Sequence, residues 1–149
     1  MVTSRPSWPF LHRWDPSRYS NSYGALPITE ADVVKVVVGA LVLSKVLPFV
    51  IDAGSKALRG RAYGKLKWLG IDPGILAGKT GAAAKGFPDI VGIQIGTGRF
   101  VAIEVKKPGA NPRADQVEWL ARAWQAGALV GVAWAASDVT TILKGEIDE

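Results

Sequence analysis

Two acids and a lysine in the second half of the chain have the types and spacing of a reaction centre. Asp89 follows Pro88, and Glu104 and Lys106 flank Val105. Fourteen residues separate Asp89 from Glu104. On a β-strand alternate residues share a face, so Glu104 and Lys106 project to one side and Val105 to the other. If residues 90–95 and 99–105 fold back on each other, Asp89 comes beside Glu104. Carboxylates are hard oxygen ligands for Mg²⁺ or Mn²⁺, which bind through one or two such groups and keep several waters. The backbone carbonyl of Val105 could add a further ligand. A metal held there would polarise a phosphate and acidify a bound water. Lys106 could orient that water or stabilise charge developing on the phosphate. Without a cation, two facing carboxylates repel, and one tends to keep a proton. An acid and a lysine two apart on a strand also occur as a plain surface ion pair. Asp89 upstream and the basic stretch before it favour the site.

The elements that must position these groups are legible around them. Residues 90–95 form a short β-branched run, 96–98 a Gly-Thr-Gly turn, and 99–105 a second run, which together read as a hairpin. A loop over 107–111 leads to Pro112, which suits the first position of a helix capped by Asn111. That helix should run to about residue 126, with Gly127 as its stop. Gln116 lies in its first turn and stays near Lys106. It reads either as part of the site or as a helix-surface amide. Arg113, at the same helix start, could touch a phosphate. Lys107 points away from Lys106 if the strand continues. Trp119, Leu120, Ala123 and Trp124 recur at helical spacing and read as core or subunit interface. Asp115, Glu118, Arg122 and Gln125 cover another face of the helix. Residues 129–135 read as a buried strand. Ser137 should cap a last helix ending near residue 144, before an acidic tail at 146–149.

The first half is less regular. Residues 1–27 read as an arm broken by Pro6, Pro9, Pro16 and Pro27. Its Arg5, Arg13 and Arg18 alternate with Trp8, Trp14, Tyr19 and Tyr23. Such interleaving could stack on bases and hold phosphates, or could pack the arm on the domain. Residues 29–47 read as a helix capped by Thr29, with Glu30 and Asp32 in its first turn and Pro48 as its end. The Val-rich run 33–51 approaches the length of a membrane span, roughly 20 apolar residues. Lys35 and Lys45 interrupt it, so a buried or dimer-facing helix is the expectation. Residues 53–86 carry seven basic residues against one acid, Asp72. This glycine-spaced stretch reads as a phosphate-tracking surface or a solvated loop. Residues 74–80 look like a P-loop but have three residues between the glycines where four are needed, and Pro73 replaces the first glycine. Nucleotide hydrolysis is not expected.

Composition bounds the rest. The chain has 149 residues, 48% of them hydrophobic and 21% charged, which suits one globular domain. A net charge of +5 and a pI near 9.6 favour polyanionic partners without choosing among them. The absence of cysteine excludes disulfides, thiolate metal sites and cysteine nucleophiles. The one histidine, His12, cannot form a histidine-based metal site within a single chain. Arg5, Pro6, Pro9 and Arg13 leave no apolar signal region at the start.

The segments Gly86-Phe87-Pro88-Asp89-Ile90-Val91-Gly92 and Ala102-Ile103-Glu104-Val105-Lys106, followed by Gln116, resemble the VRR-NUC domain, a family of the PD-(D/E)xK nuclease superfamily. The resemblance runs from about residue 29 to 143 and is dense from 85 to 134. It implies an α/β, restriction-endonuclease-like fold: a mixed central sheet flanked by helices. It places the nuclease domain over 28–145, with 56–84 as a basic insertion. By this resemblance Asp89 and Glu104 match the metal ligands, with Val105 lending its carbonyl, and Lys106 matches the catalytic lysine. Gln116 matches the glutamine that begins the following helix, and Glu30 an acid on the first helix. The implied activity is Mg²⁺- or Mn²⁺-dependent cleavage of DNA, branched DNA such as Holliday junctions in particular, by a homodimer. Stand-alone members are typically phage-associated, which implies action in the cytoplasm of a bacterial or phage-infected cell. The alternatives are a nucleic-acid-binding module that keeps the fold without cutting, and a peripheral membrane protein using residues 33–51.

Overall fold

The computed structural model describes residues 11–19, 29–51 and 86–145. The expectations for 1–10, 20–28, the basic stretch and P-loop look-alike within 52–85, and the tail at 146–149 lie outside the described residues. In chain order the regular elements are α1 (Glu30–Leu43), β1 (Val46–Val50), β2 (Ile90–Gln94), β3 (Phe100–Val105), α2 (Ala114–Gln125), β4 (Leu129–Ala133) and α3 (Ser137–Lys144). The strands form one mixed sheet in the order β1-β2-β3-β4. The first three are antiparallel and β4 runs parallel to β3. This is the expected α/β architecture, a mixed sheet flanked by helices.

Helix α1 begins as its sequence demands. Thr29 Oγ1 accepts from the Asp32 backbone N–H at 3.1 Å, and the Asp32 carboxylate accepts from the Thr29 N–H at 3.3 Å. This reciprocal cap satisfies two donors that the helix cannot use internally. The cap also fixes where Glu30 starts the first turn. The other end differs from the expected helix over 29–47. The helix stops at Leu43, and Lys45, at φ 61°, turns the chain back into β1. The Val-rich run is therefore a helix followed by a strand. Val33, Val37 and Leu41 pack inside the chain, and Val46 buries against the same core. Pro48 is tolerated in β1 because the strand is at the sheet edge. The Ile95 N–H donates to the Lys45 carbonyl and the Ile51 N–H to the Asp89 carbonyl, so by alternation Pro48 points its nitrogen away from β2. No helix among the described residues is long and apolar enough to cross a membrane.

The hairpin forms as expected, with Gly96 and Gly98 at φ 96° and 69° in its turn. Strand β4 is buried along its length but ends at Ala133, two residues short of the expected 135. Helix α2 stops at Gln125, with Gly127 at φ 104° just beyond. Two expected caps are absent. Pro112 lies outside α2 and Arg113 occupies the cap position. Asn111 instead accepts from the Trp14 N–H at 2.7 Å. Ser137 is already helical, and Asp138 takes the Trp134 and Ala135 N–H groups at 2.8 and 3.2 Å.

Helices α1 and α3 cover one face of the sheet. Gly131, the partner of Ile103, leaves room there for Ile142 of α3. Helix α2 covers the opposite face over β3 and β4, with Leu120 and Ala121 buried and Trp119 and Trp124 half-buried against the core. Part of the N-terminal arm belongs to the domain. Leu11 is a core residue whose carbonyl accepts from the Val132 N–H on the free edge of β4 at 2.8 Å. Trp14 stacks on Tyr19 at 5.1 Å, and the Tyr19 hydroxyl donates to Asp138 at 2.6 Å.

Candidate active site

The centre forms where β2 begins and β3 ends. Ile90 pairs with Ile103. One step further along the ladder sets Asp89 directly opposite Glu104, on the sheet face that α2 covers. Gln94 N–H bonds to Arg99 O across the hairpin, so alternation makes the Asp89/Glu104 position a non-hydrogen-bonded pair. Side chains come closest at such positions, and like charges set opposite each other there destabilise the sheet. Asp89 turns one oxygen into the backbone: its Oδ2 accepts from the Val105 N–H at 2.9 Å. Pro88 has no N–H to offer the Val105 carbonyl, which leaves that oxygen available at the same end of the sheet.

Glu104 is almost fully buried, at 2% exposure. Its Oε1 accepts from Gln116 Nε2 at 2.7 Å, whereas its Oε2 is buried with no hydrogen-bond partner. Burial, then the charge of Asp89, pushes the Glu104 carboxyl up to about 9, against a weaker opposing pull from Lys106. A buried oxygen without a donor, facing a second carboxylate that strengthens its hold on a proton, could be satisfied by a shared proton or by a cation. Among the described residues no three His, Cys, Asp or Glu side chains gather closely enough to hold a metal by themselves. The donor set is Asp89 and Glu104, with the Val105 carbonyl. That matches a Mg²⁺-like ion, which completes its shell with water and substrate oxygens.

Lys106 extends the sheet by donating its backbone N–H to Ala133 O at 3.1 Å. Its ammonium lies 3.7 Å from Glu104 Oε1 and 3.9 Å from Glu30 Oε1. Glu30, at the start of α1, thus meets the centre through Lys106 and not through the paired carboxylates. Gln116 is buried and spans two elements: its Oε1 accepts from the Arg113 N–H at 2.9 Å while its amide nitrogen serves Glu104. The structure therefore brings all five expected side chains, Asp89, Glu104, Lys106, Gln116 and Glu30, to one end of the sheet. Gln116 is a buried bridge and not a surface amide.

Two supports of the site have roles that the sequence did not assign: the close approach of Gly86 to α2, and the anchoring of the loop after β3. Gly86, at φ 90°, lies so close to α2 that a Cβ there would stand 2.4 Å from the Asp115 carbonyl oxygen. Glycine thus lets the Gly-Phe-Pro-Asp segment reach the helix that carries Gln116, and Phe87 meets Trp119 edge-on at 5.0 Å. The loop between Lys106 and α2 is the second. It is tied down by Trp134, whose indole N–H donates to Ala110 O at 2.7 Å, and by the Trp14 bond to Asn111. Gly86 carried a faint signal, a glycine two residues before Pro88. The loop anchors carried none, because their partners lie far away in the chain.

The chain matches no known family model, no curated protein and no solved structure.

Proposed function

We propose that this protein is a metal-dependent deoxyribonuclease that hydrolyses DNA phosphodiester bonds at Asp89, Glu104 and Lys106. The observation that carries the reading is the paired carboxylates at the end of one hairpin, with a buried glutamate oxygen lacking any donor. The resemblance of these same segments to the VRR-NUC family supports it. Mg²⁺ or Mn²⁺ bound there would supply Lewis-acid polarisation of the phosphate and a more acidic bound water.

The chain's own residues have separable roles in this reading. Asp89 and Glu104 would hold the cation, and the Val105 N–H fixes the Asp89 carboxylate against rotation. Gln116 holds Glu104 by its Oε1, which leaves Oε2 as the oxygen for the cation. Lys106 stands beside Glu104 with its charge balanced from the far side by Glu30. An ammonium so placed stabilises the negative charge that grows on a phosphate oxygen in the transition state. Glu30 orients Lys106 from the start of α1.

The preferred substrate in this reading is branched DNA, cut by a two-fold dimer acting in the cytoplasm of a bacterial or phage-infected cell. That part rests on the resemblance. A two-fold dimer sets two equivalent centres against two symmetric strands. The test is cleavage of labelled four-way junction and linear duplex by the purified protein in Mg²⁺, in Mn²⁺ and in EDTA. Paired symmetric nicks in the junction, metal-dependent and faster than duplex cutting, are expected. Equal cutting of the two substrates contradicts the junction preference. DNA binding without cutting in either metal contradicts the nuclease and leaves a binding module.

A further inference from the structure

Arg113 stands beside the centre without being part of it. Its backbone N–H donates to Gln116 Oε1 at 2.9 Å, and Gln116 in turn donates to Glu104, so its main chain is two hydrogen bonds from the buried carboxylate. Its side chain is 60% exposed and lies on the Asp115 carboxylate through two forked contacts, Nε to Oδ1 at 3.1 Å and Nη2 to Oδ2 at 3.4 Å. This fork-on-carboxylate geometry is the one that a phosphate also satisfies. The Asp115 backbone lies against Gly86. The Asp115 carboxylate first, and more weakly Glu104 and Asp89, hold the guanidinium more firmly in its charged form. Other cations nearby are placed differently. Lys106 is engaged with Glu104 and Glu30, and Arg122 pairs with Glu118 further along α2.

We propose that Arg113 is the phosphate-contacting arginine of this centre, and that Asp115 holds its guanidinium in place until a phosphate of the bound strand takes over from that carboxylate. An exposed ion pair contributes little to stability, so the exchange costs the fold little. The partner that Arg113 gains is a backbone phosphate next to the one under attack, which sets the register of the strand over Asp89 and Glu104. This assignment rests on the nuclease reading for its substrate, yet binding and cutting can be read apart.

The experiment compares wild-type, Arg113→Ala, Arg113→Lys and Asp115→Asn proteins. Binding of labelled duplex and four-way junction is measured by anisotropy in Ca²⁺ at several salt concentrations, and cleavage in Mg²⁺. Arg113→Ala is expected to weaken binding by roughly tenfold or more, the loss of one charge-assisted contact. The slope of log affinity against log salt should fall by about 0.9, one phosphate contact. Arg113→Lys should recover only part of the affinity, since lysine lacks the fork. Asp115→Asn, which removes the competing carboxylate and leaves Arg113, should bind DNA more tightly than wild-type. Unchanged affinity and salt slope in Arg113→Ala would overturn the assignment. So would an Asp115→Asn variant that loses binding as Arg113→Ala does, since the ion pair would then be structural. Arg113-dependent binding with no cutting by wild-type in Mg²⁺ defeats the nuclease reading and leaves the phosphate contact standing. Cutting by wild-type that Arg113→Ala matches defeats this assignment alone.

Discussion

Gln116 Nε2 donates to Glu104 Oε1 at 2.7 Å, and both side chains are buried. This bond ties the first turn of α2 to Glu104 near the end of β3, and it decides which glutamate oxygen is left without a donor. The Gln116 amide also accepts the Arg113 N–H, so one side chain caps a helix and orients an acid at once.

Replacing Gln116 by leucine should leave Glu104 Oε1 and the Arg113 N–H without their partner. The buried Glu104 oxygen left unpaired costs about 1–3 kcal/mol, whereas Arg113 is exposed and its N–H can turn to water. Urea denaturation in EDTA should show a loss in that range, and half-maximal cleavage should need more Mg²⁺. Unchanged metal dependence would mean that Gln116 supports the helix and not the metal ligand.

Stability of the metal-free protein should depend on Glu104 in a definite direction. Its carboxyl is pushed up to about 9 in the folded chain from an ordinary 4.5. The folded state then binds the extra proton, so stability falls as pH rises from about 4.5 toward 9. Thermal unfolding in EDTA at pH 6, 7.5 and 9 should show this decline, and Glu104→Gln should flatten it. Added Mg²⁺ should restore stability most at the alkaline end, where the cation takes the place of the proton. A wild-type profile no steeper than that of Glu104→Gln would contradict the buried, cation-seeking glutamate.

Gly86→Ala should disturb the centre from outside it. A methyl group there collides with the Asp115 carbonyl, and φ 90° is a backbone state that L-residues avoid. The combined strain and overpacking should cost about 2–4 kcal/mol. Gly98→Ala, at φ 69° with open space around it, should carry only the smaller backbone penalty, about 1–2 kcal/mol. Equal losses in the two variants would show that the approach of residue 86 to α2 is not tight.

The sequence made much of this centre legible because its signals are local. The alternation in 99–105, the Gly-Thr-Gly turn and the Pro-Asp start are enough to bring Asp89, Glu104 and Lys106 together. Thr29 and Asp32 mark the start of α1, and Glu30 follows from it. The far end of that helix was not legible. Residues 46–50 are as apolar as the helix before them, and only tertiary pairing with β2 decides that they form a strand. A proline that would break a helix is equally at home on a sheet edge. The misplaced cap at Asn111 has the same origin: Trp14 reaches it from a segment that local sequence does not bring near. At Ser137 the competition is local, since the neighbouring Asp138 takes the Trp134 and Ala135 N–H groups. The arm's aromatics gave no hint that Tyr19 would meet Asp138, more than a hundred residues away, at 2.6 Å.

The most direct test of the account compares wild-type, Asp89→Asn and Lys106→Ala proteins on one labelled DNA junction in Mg²⁺ and in EDTA. The account predicts Mg²⁺-dependent cutting by wild-type and a loss of at least about a hundredfold in each variant, the scale of removing one transition-state contact. Both variants should still bind the junction. Cutting that persists in EDTA, or that survives in both variants, would contradict a metal centre built on Asp89, Glu104 and Lys106.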